Sequence, residues 1–189
     1  AIIVFPWATS LIIQAGVWKF IIDKDYGALN TLLMKIGLIS SPVNWTPTPG
    51  AYFAWEIFVG IFVTVPFVTF CVLSGLQSID NSYYEAATVD GANYWQKLFK
   101  ITLPLVKSSL TVSTVLNIIY VFNSFPIIWT ITKGDPASRT DTLVTYLYKL
   151  AFYKGKSGEA AAVSVIGFLI LCICASVYMV LSLRKEDED

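Results

Sequence analysis

The sequence predicts an all-α fold, a bundle of helices that crosses a membrane several times. Charged residues make up only 14% of the 189 residues, whereas ordinary soluble domains contain roughly 25%. Hydrophobic residues make up 56%, and the mean hydropathy is +0.65. So few charges leave too little polar surface for a water-soluble domain, and they suit a chain whose apolar runs lie in a bilayer.

Four apolar segments have the length and composition of membrane spans. They are residues 1–20, 51–75, 105–132 and 160–183 of a single transmembrane domain over residues 1–189. Because the chain opens at Ala1 inside an apolar run without an initiator Met, we expect further spans before it. The first three segments contain Pro6, Pro66 and Pro126, together with embedded polar side chains. Such residues at membrane depth face other helices or a wet cavity, so the predicted bundle encloses a polar interior.

Two connecting segments have patterns of their own. Residues 26–38 predict a short amphipathic helix, because leucines and an isoleucine recur on one face. The prolines and the glycine at positions 42–50 then predict an extended loop. Residues 133–159 predict a turn followed by an amphipathic, tyrosine-rich stretch, which is typical of the membrane–water boundary.

Residues 82–104 form the most polar helical stretch of the chain and predict a bent elbow between two spans. Ser82 is the predicted N-cap of the first arm, with Glu85 closing a capping box. Gly91 after Asp90 is a natural helix stop, and a second short helix follows over residues 92–101. From the residues alone, the elbow is either an ordinary interfacial loop or a docking surface for a partner.

The stretch EAATVDGANYWQKLFKITLP resembles the EAA motif of permease subunits of ATP-binding-cassette importers. That motif reads E-A-A, three residues, glycine, nine residues and I-x-L-P. The matching positions are Glu85, Ala86, Ala87, Gly91, Ile101, Leu103 and Pro104. The Asp90-Gly91-Ala92 version resembles the carbohydrate branch of the family. Stretches such as DYGALN and GLQSID resemble the first permease subunit of maltose- and glycerol-phosphate-type importers.

This resemblance implies a type I importer permease fold in which the elbow is the coupling helix. It implies that a cytoplasmic ATPase subunit contacts Glu85, Ala86, Ala87, Asp90 and Gly91, and that ATP closure drives the spans between inward-open and outward-open states. The implied partners are a second permease subunit in a heterodimer, two ATPase subunits, an extracytoplasmic solute-binding protein and membrane lipid. ATP and Mg²⁺ lie on the ATPase subunits, so this chain is expected to hold no cofactor, metal or catalytic residue.

The resemblance also implies a multi-pass protein of a bacterial or archaeal cytoplasmic (inner) membrane, with a cytoplasmic C-terminus. Charge does not decide the orientation. If the elbow is cytoplasmic, five of the 13 Lys and Arg residues lie on its side and eight on the other, counter to the positive-inside tendency.

One helical face of the third span carries an amide, a phenol and two smaller side chains at i, i+3, i+4 and i+7. Such a face beside apolar surface suits a sugar, which needs hydrogen bonds and stacking. A second face lies beside Pro66 in the second span. In maltose-type permeases, the positions that match these faces hold the substrate. The predicted solute path is therefore Val63, Thr64, Phe67, Asn117, Tyr120, Val121 and Ser124.

Other interpretations remain open at this stage. The polar residues of the path also suit helix-to-helix packing, and glycerol phosphate is an alternative cargo, although no path residue is basic. A channel predicts charge rings or filter loops, which the sequence lacks, and an intramembrane enzyme is disfavoured because the chain contains no histidine. Zero net charge gives no reason to expect nucleic acid.

Two further features are interpreted as having no specific functional role. Glu56 lies close to the outer end of the second span, so we expect its carboxylate to snorkel to water rather than serve as an intramembrane functional acid. Gly155-Lys156-Ser157 resembles the end of a phosphate-binding loop. That pattern needs a glycine at position 150, where the chain has leucine, so we expect no phosphate loop.

Overall fold

The computed structural model describes residues 8–184, and within that range the chain is helical without a strand. The predicted all-α class is confirmed. In chain order, the elements are α1 (Leu11–Ile21), α2 (Ala28–Lys35), α3 (Pro49–Gln77), α4 (Asn81–Val89), α5 (Tyr94–Lys97), a π-helical segment (Leu98–Thr102), α6 (Leu103–Leu105), α7 (Lys107–Phe122), α8 (Phe125–Ile131), α9 (Leu143–Tyr148), a second π-helical segment (Lys149–Tyr153) and α10 (Ser157–Arg184).

The predicted count of four spans is not confirmed. Among the described residues, Pro49–Gln77 and Ser157–Ser182 are single helices long and apolar enough to cross a membrane. Tyr94–Leu105 and Lys107–Phe122 together make a third candidate, which is bent by 59°. The first predicted span is described only from residue 8 onward, where α1 is an apolar helix of 11 residues.

The third predicted span, residues 105–132, is not one helix. α7 ends at Phe122 and α8 begins at Phe125, so residues 123 and 124 form a break. Pro126 in the first turn of α8 is the physical reason, because proline has no N–H to donate back and its ring clashes with the preceding turn. The sequence prediction missed this break because it relied on the continuous apolar composition of residues 105–132.

α3 is the central helix. Its N-terminus is fixed by Thr48, whose side chain accepts a hydrogen bond from the Ala51 amide at 3.3 Å, and by Pro49 in the first turn. With 29 residues it is about 43 Å long at 1.5 Å per residue. It packs against α1, α7 and α8. The buried core between α1, α3 and α8 is formed by Ala15, Val59, Val63, Ile127 and Ile131.

α7 returns from the elbow and lies between α3 and α10. Gly75 of α3 is closely apposed to Ser109 of α7, since a Cβ placed on Gly75 would lie 2.6 Å from the Ser109 Oγ. Near the same end, the Thr111 hydroxyl of α7 hydrogen-bonds to the Ser182 hydroxyl of α10. Small residues therefore allow the helices to approach closely, as is usual inside membranes.

The loop between α2 and α3 is organised around Asn30. The predicted amphipathic helix is confirmed as α2, and Asn30 on it is only 2% exposed. Its amide donates to the carbonyls of Lys24 and Val43, at 3.0 and 2.8 Å. Its oxygen accepts from the Val43 amide and the Trp45 indole, at 3.2 and 2.9 Å. All the hydrogen-bonding capacity of one buried side chain thus fixes the loop.

Replacing Asn30 with leucine is expected to loosen the loop without unfolding the bundle. Several backbone groups would lose their partners, at about 1–3 kcal/mol for each one that stays buried. We expect backbone hydrogen exchange over residues 39–46 to become at least about tenfold faster, since 1.4 kcal/mol corresponds to a factor of ten. The matched control is Asn44→Leu, because Asn44 is exposed and bonds only within its own turn, to Thr46. Equal exchange in both variants would contradict the role given to Asn30.

Candidate functional site

The first helix of the elbow begins two residues earlier than the sequence predicted. The N-cap of α4 is Asp80, whose carboxylate accepts a hydrogen bond from the Ser82 amide at 2.8 Å. Ser82 already lies inside the helix, so the predicted capping box of Ser82 and Glu85 is wrong. Aspartate is as good a cap as serine. The helix therefore begins after Asp80, the first of the two suitable residues in the chain. The hydrogen bonds from the Ser82 amide and hydroxyl lower the pKa of the Asp80 carboxyl.

The first arm of the elbow ends at Gly91, as predicted. Gly91 has a φ of +75°, which side chains with a Cβ rarely adopt. Its amide donates to the Thr88 carbonyl at 3.0 Å, and the Ala92 amide donates to the Ala87 carbonyl at 2.9 Å. These two bonds are the Schellman arrangement, which satisfies the last carbonyls of a helix.

The second arm is tied back onto the first. Asn93 caps α5 and forms a reciprocal capping box with Gln96. Lys97 donates from its Nζ to the Thr88 hydroxyl at 2.7 Å, and the Tyr84 hydroxyl lies 2.9 Å from the Thr102 hydroxyl. The elbow is therefore a unit braced by side chains. The sequence predicted a single helix over residues 92–101, whereas the structure has the α-helix α5 followed by the π-helical segment Leu98–Thr102.

The outer surface of the elbow combines acidic and apolar groups. α4 contains no buried residue, and Glu85, Ala86, Asp90 and Gly91 are exposed. Ala87 is half-buried. Val89 is 88% exposed, and the exposed rings of Trp95 and Phe99 are stacked with their centroids 6.1 Å apart. Exposed apolar groups of this size are typical of a surface that another protein or a membrane covers.

A cavity of about 400 Å³ lies between α3 and α7, and we call it the central cavity. It falls within the size range of about 300–1,000 Å³ that is usual for ligand pockets. Five of the seven predicted path residues line it. The lining consists of Val63, Thr64, Phe67, Leu116, Asn117, Ile119 and Tyr120.

Within the central cavity, polar groups are few and lie among apolar ones. The Asn117 amide nitrogen donates to the Ser113 carbonyl at 2.9 Å, which leaves its oxygen for other partners. The Thr64 hydroxyl donates toward the carbonyls of Gly60 and Ile61 and keeps its acceptor capacity. An amide, a phenol and aromatic surface can bind a polyhydroxylated solute by hydrogen bonding and stacking.

Val121 and Ser124 do not join this cavity. They line a second cavity of about 220 Å³, which we call the Glu56 cavity; its walls include Glu56, Gly60, Thr64, Val121, Ser124 and Thr142. The prediction that all four residues of the third span share one helical face is wrong for Ser124, because α7 ends at Phe122 and its periodicity does not reach position 124. Asn117, Tyr120 and Val121 all lie on α7, although Val121 lines a different cavity from the other two. Thr64 lines both cavities.

The expectation that Glu56 snorkels to water is also wrong. Glu56 is 5% exposed, and its Oε1 accepts a hydrogen bond of 2.6 Å from the Thr132 hydroxyl. Residues of α8 and of the segment that follows α8 lie around the carboxylate: Thr132 hydrogen-bonds to it, and Ile127, Ile128 and Thr142 line the same cavity. Burial of this kind depends on long-range packing, so the sequence offered only the weak signal of an acid eight residues into an apolar helix.

Comparison with known proteins adds independent findings. A family model described as "Binding-protein-dependent transport system inner membrane component" matches residues 1–185. A probable ABC transporter permease protein of Brucella suis biovar 1 (strain 1330) is 49% identical over 185 residues, which are 98% of this chain and 64% of that protein. The trehalose/maltose transport system permease protein MalF of Thermococcus litoralis is 35% identical over 187 residues, or 99% of this chain and 62% of that protein.

Solved structures show a similar fold. A chain of a bacterial ABC transporter involved in the import of the acidic polysaccharide alginate superimposes with a TM-score of 0.84 at 25% identity. The match covers 96% of this chain and 63% of the other. The chain thus spans less than two thirds of the length of these relatives.

Proposed function

The chain belongs to the family of binding-protein-dependent transport system inner membrane components, and we propose that it is the core of a permease subunit that imports a sugar or oligosaccharide. The observation that carries the proposal is the central cavity, in which Asn117 and Tyr120 lie beside Phe67 in a mostly apolar wall. A sugar suits such a wall because its hydroxyls need few, well-placed partners and its C–H faces stack on aromatic rings. The trehalose/maltose permease among its relatives supports the same cargo class.

The lining of the central cavity favours a neutral cargo over an anionic one. None of its lining residues is basic. An anion such as glycerol phosphate would be held best by arginine, lysine or a helix N-terminus. We therefore place glycerol phosphate second among cargo classes.

The elbow is the proposed link to an ATPase. In this proposal, Glu85, Ala86, Ala87, Asp90 and Gly91 enter a cleft of a cytoplasmic ATPase subunit. ATP closure then moves the elbow and switches α3 and α7 between inward-open and outward-open arrangements. The braces between Lys97 and Thr88 and between Tyr84 and Thr102 support this role, because a rigid elbow transmits displacement to α7 better than a flexible loop.

The proposed assembly contains a second permease subunit, two ATPase subunits and an extracytoplasmic solute-binding protein in the cytoplasmic membrane, with the C-terminus on the cytoplasmic side. ATP with Mg²⁺ would bind the ATPase subunits, and this chain would perform no chemistry itself. The stretch Gly155-Lys156-Ser157 is not counted as a phosphate loop in this proposal, because position 150 is leucine where the pattern needs glycine.

The experiment that tests the proposal is uptake by the full assembly. The complete permease, co-expressed with its neighbouring transport genes, would be reconstituted in proteoliposomes with ATP inside and labelled trehalose, maltose or glycerol phosphate outside. We expect ATP-dependent uptake of at least one of the two sugars and none of glycerol phosphate. Uptake of glycerol phosphate alone would reverse the order of the two cargo classes, and uptake independent of ATP would contradict the importer.

Replacing Asn117 with alanine in the same assay is expected to raise the KM for the transported sugar about tenfold. The change removes one hydrogen-bonding group from the cavity wall, worth about 0.5–1.5 kcal/mol and more when the partner left behind is buried. The matched control is Asn123→Ala. Asn123 makes the same kind of bond, from its amide to the carbonyl of Ile119 at 2.9 Å, but lies outside the central cavity. Equal KM values in both variants would contradict a solute path at Asn117.

A further inference from the structure

The carboxylate of Glu56 has one engaged oxygen and one unpaired oxygen. Oε1 accepts a hydrogen bond from the Thr132 hydroxyl at 2.6 Å. Oε2 is buried and has no hydrogen-bond partner among residues 8–184. A buried polar atom without a partner is costly and rare in native proteins, so it is expected to receive one when the protein works.

Thr132 is itself held by a network of hydrogen bonds. Its Oγ1 accepts from the Gly134 amide at 3.0 Å and lies 2.9 Å from the Thr140 hydroxyl. Its hydroxyl donates to Glu56 Oε1 at 2.6 Å, and its contact with the Ile128 carbonyl is longer, at 3.3 Å. Glu56 is therefore held in place by this network, and Oε2 is left as an acceptor.

Glu56 forms no ion pair with a Lys or Arg in the described part of the chain. Lys149, on the segment after α9, is paired with Asp141 at 3.0 Å. The volume of the Glu56 cavity is about 220 Å³, whereas one water molecule occupies about 30 Å³ in the liquid. It is smaller than a usual ligand pocket of about 300–1,000 Å³, so it suits one part of a solute.

We propose that the Glu56 cavity is a second solute subsite, in which Oε2 of Glu56 accepts a hydrogen bond from a hydroxyl group of the transported sugar. The central cavity would bind the main body of the solute, and a ring or substituent would extend past Thr64, which lines both cavities. This inference rests on the proposed function, because it requires a hydroxylated cargo. It makes Glu56 a specificity-determining residue that selects solutes carrying a hydroxyl at the right distance from the part bound at Asn117.

The test couples a change in the protein with a change in the solute. Uptake of trehalose and maltose, and of their monodeoxy analogues, would be measured with the full assembly in proteoliposomes for wild type, Glu56→Leu and Glu56→Gln. In wild type, removal of the recognised hydroxyl is expected to raise the KM about tenfold, as for a hydrogen bond to a charged group. In Glu56→Leu, the analogue and the parent sugar are expected to have the same KM, because the acceptor of the hydrogen bond is gone.

Glu56→Gln keeps the shape of the side chain and an oxygen for Thr132. It covers the case in which the leucine variant does not assemble, and it is expected to reduce the tenfold penalty to about threefold or less, since a neutral amide binds a hydroxyl more weakly than a carboxylate does. Glu159→Gln is the matched control, because Glu159 is exposed at the start of α10, and it should keep the wild-type penalty.

The outcomes separate this inference from the function on which it rests. If wild type transports a sugar but every analogue is penalised equally in wild type and the Glu56 variants, the subsite is overturned and the importer stands. If wild type takes up neither trehalose nor maltose, the sugar cargo fails and the subsite fails with it. A penalty at one hydroxyl that disappears in Glu56→Leu, shrinks in Glu56→Gln and persists in Glu159→Gln establishes the contact.

Discussion

On the proposed function, replacing Gly91 with proline is expected to uncouple solute uptake from ATP hydrolysis. Proline fixes φ near −65°, whereas Gly91 has a φ of +75°. Proline also removes the amide that donates to the Thr88 carbonyl. The turn between the two arms of the elbow must therefore rearrange, and the surface formed by Glu85 and Asp90 loses its orientation. We expect solute-stimulated ATP hydrolysis and uptake to fall by about tenfold or more, since 1.4 kcal/mol of lost coupling corresponds to a factor of ten.

The chain contains a matched control for this substitution. Gly37 also has a φ of +75° and closes α2 with the same pair of bonds, from its own amide to Met34 and from Leu38 to Leu33. Around both glycines the space for a side chain is open. Gly37→Pro should therefore cost similar local stability and leave ATP coupling at the wild-type level. If both variants lose coupling equally, the effect is one of folding, and the elbow has no special role.

Replacing Gly75 with valine is expected to destabilise the packing of α3 against α7 strongly. A Cβ at this position would lie 2.6 Å from the Ser109 Oγ and 2.9 Å from the Ser109 Cβ. The Cβ of Ser109 is fixed to the backbone of α7, so a rotation of the serine side chain cannot relieve this contact. Helices α3 and α7 must therefore move apart. Overpacking of this kind costs about 1–3 kcal/mol, so we expect the thermal midpoint in detergent to fall by about 5 °C.

A second-site change and a control make this prediction specific. Ser109→Gly in the same chain removes the two atoms nearest to the added Cβ and is expected to restore at least half of the lost thermal midpoint. Gly60→Val changes another glycine of α3, where nothing lies within 4 Å of an added Cβ, and should leave the thermal midpoint near that of wild type. No rescue by Ser109→Gly, or an equal loss in Gly60→Val, would show that close approach of α3 and α7 is not the cause.

Local patterns predicted the features that depend on neighbouring residues. The all-α class, the short helix α2, the bend at Gly91 and the grouping of Val63, Thr64 and Phe67 all follow from side chains a few positions apart, which helical geometry places together. The wrong details also have local causes. Asp80 and Ser82 are equally good caps, and an apolar run does not reveal that Pro126 divides it into α7 and α8.

The sequence by itself determined that this chain is helical and suited to a membrane, and that it presents an elbow with the spacing of the EAA motif. These properties depend on composition and short-range order. Only the tertiary structure decided which residues meet across the bundle. It placed Asn117 and Tyr120 beside α3, moved Val121 and Ser124 into another cavity, and buried Glu56 against Thr132, which lies 76 positions away along the chain. Contacts at such separations depend on how whole helices pack, and no periodicity within one segment contains that information.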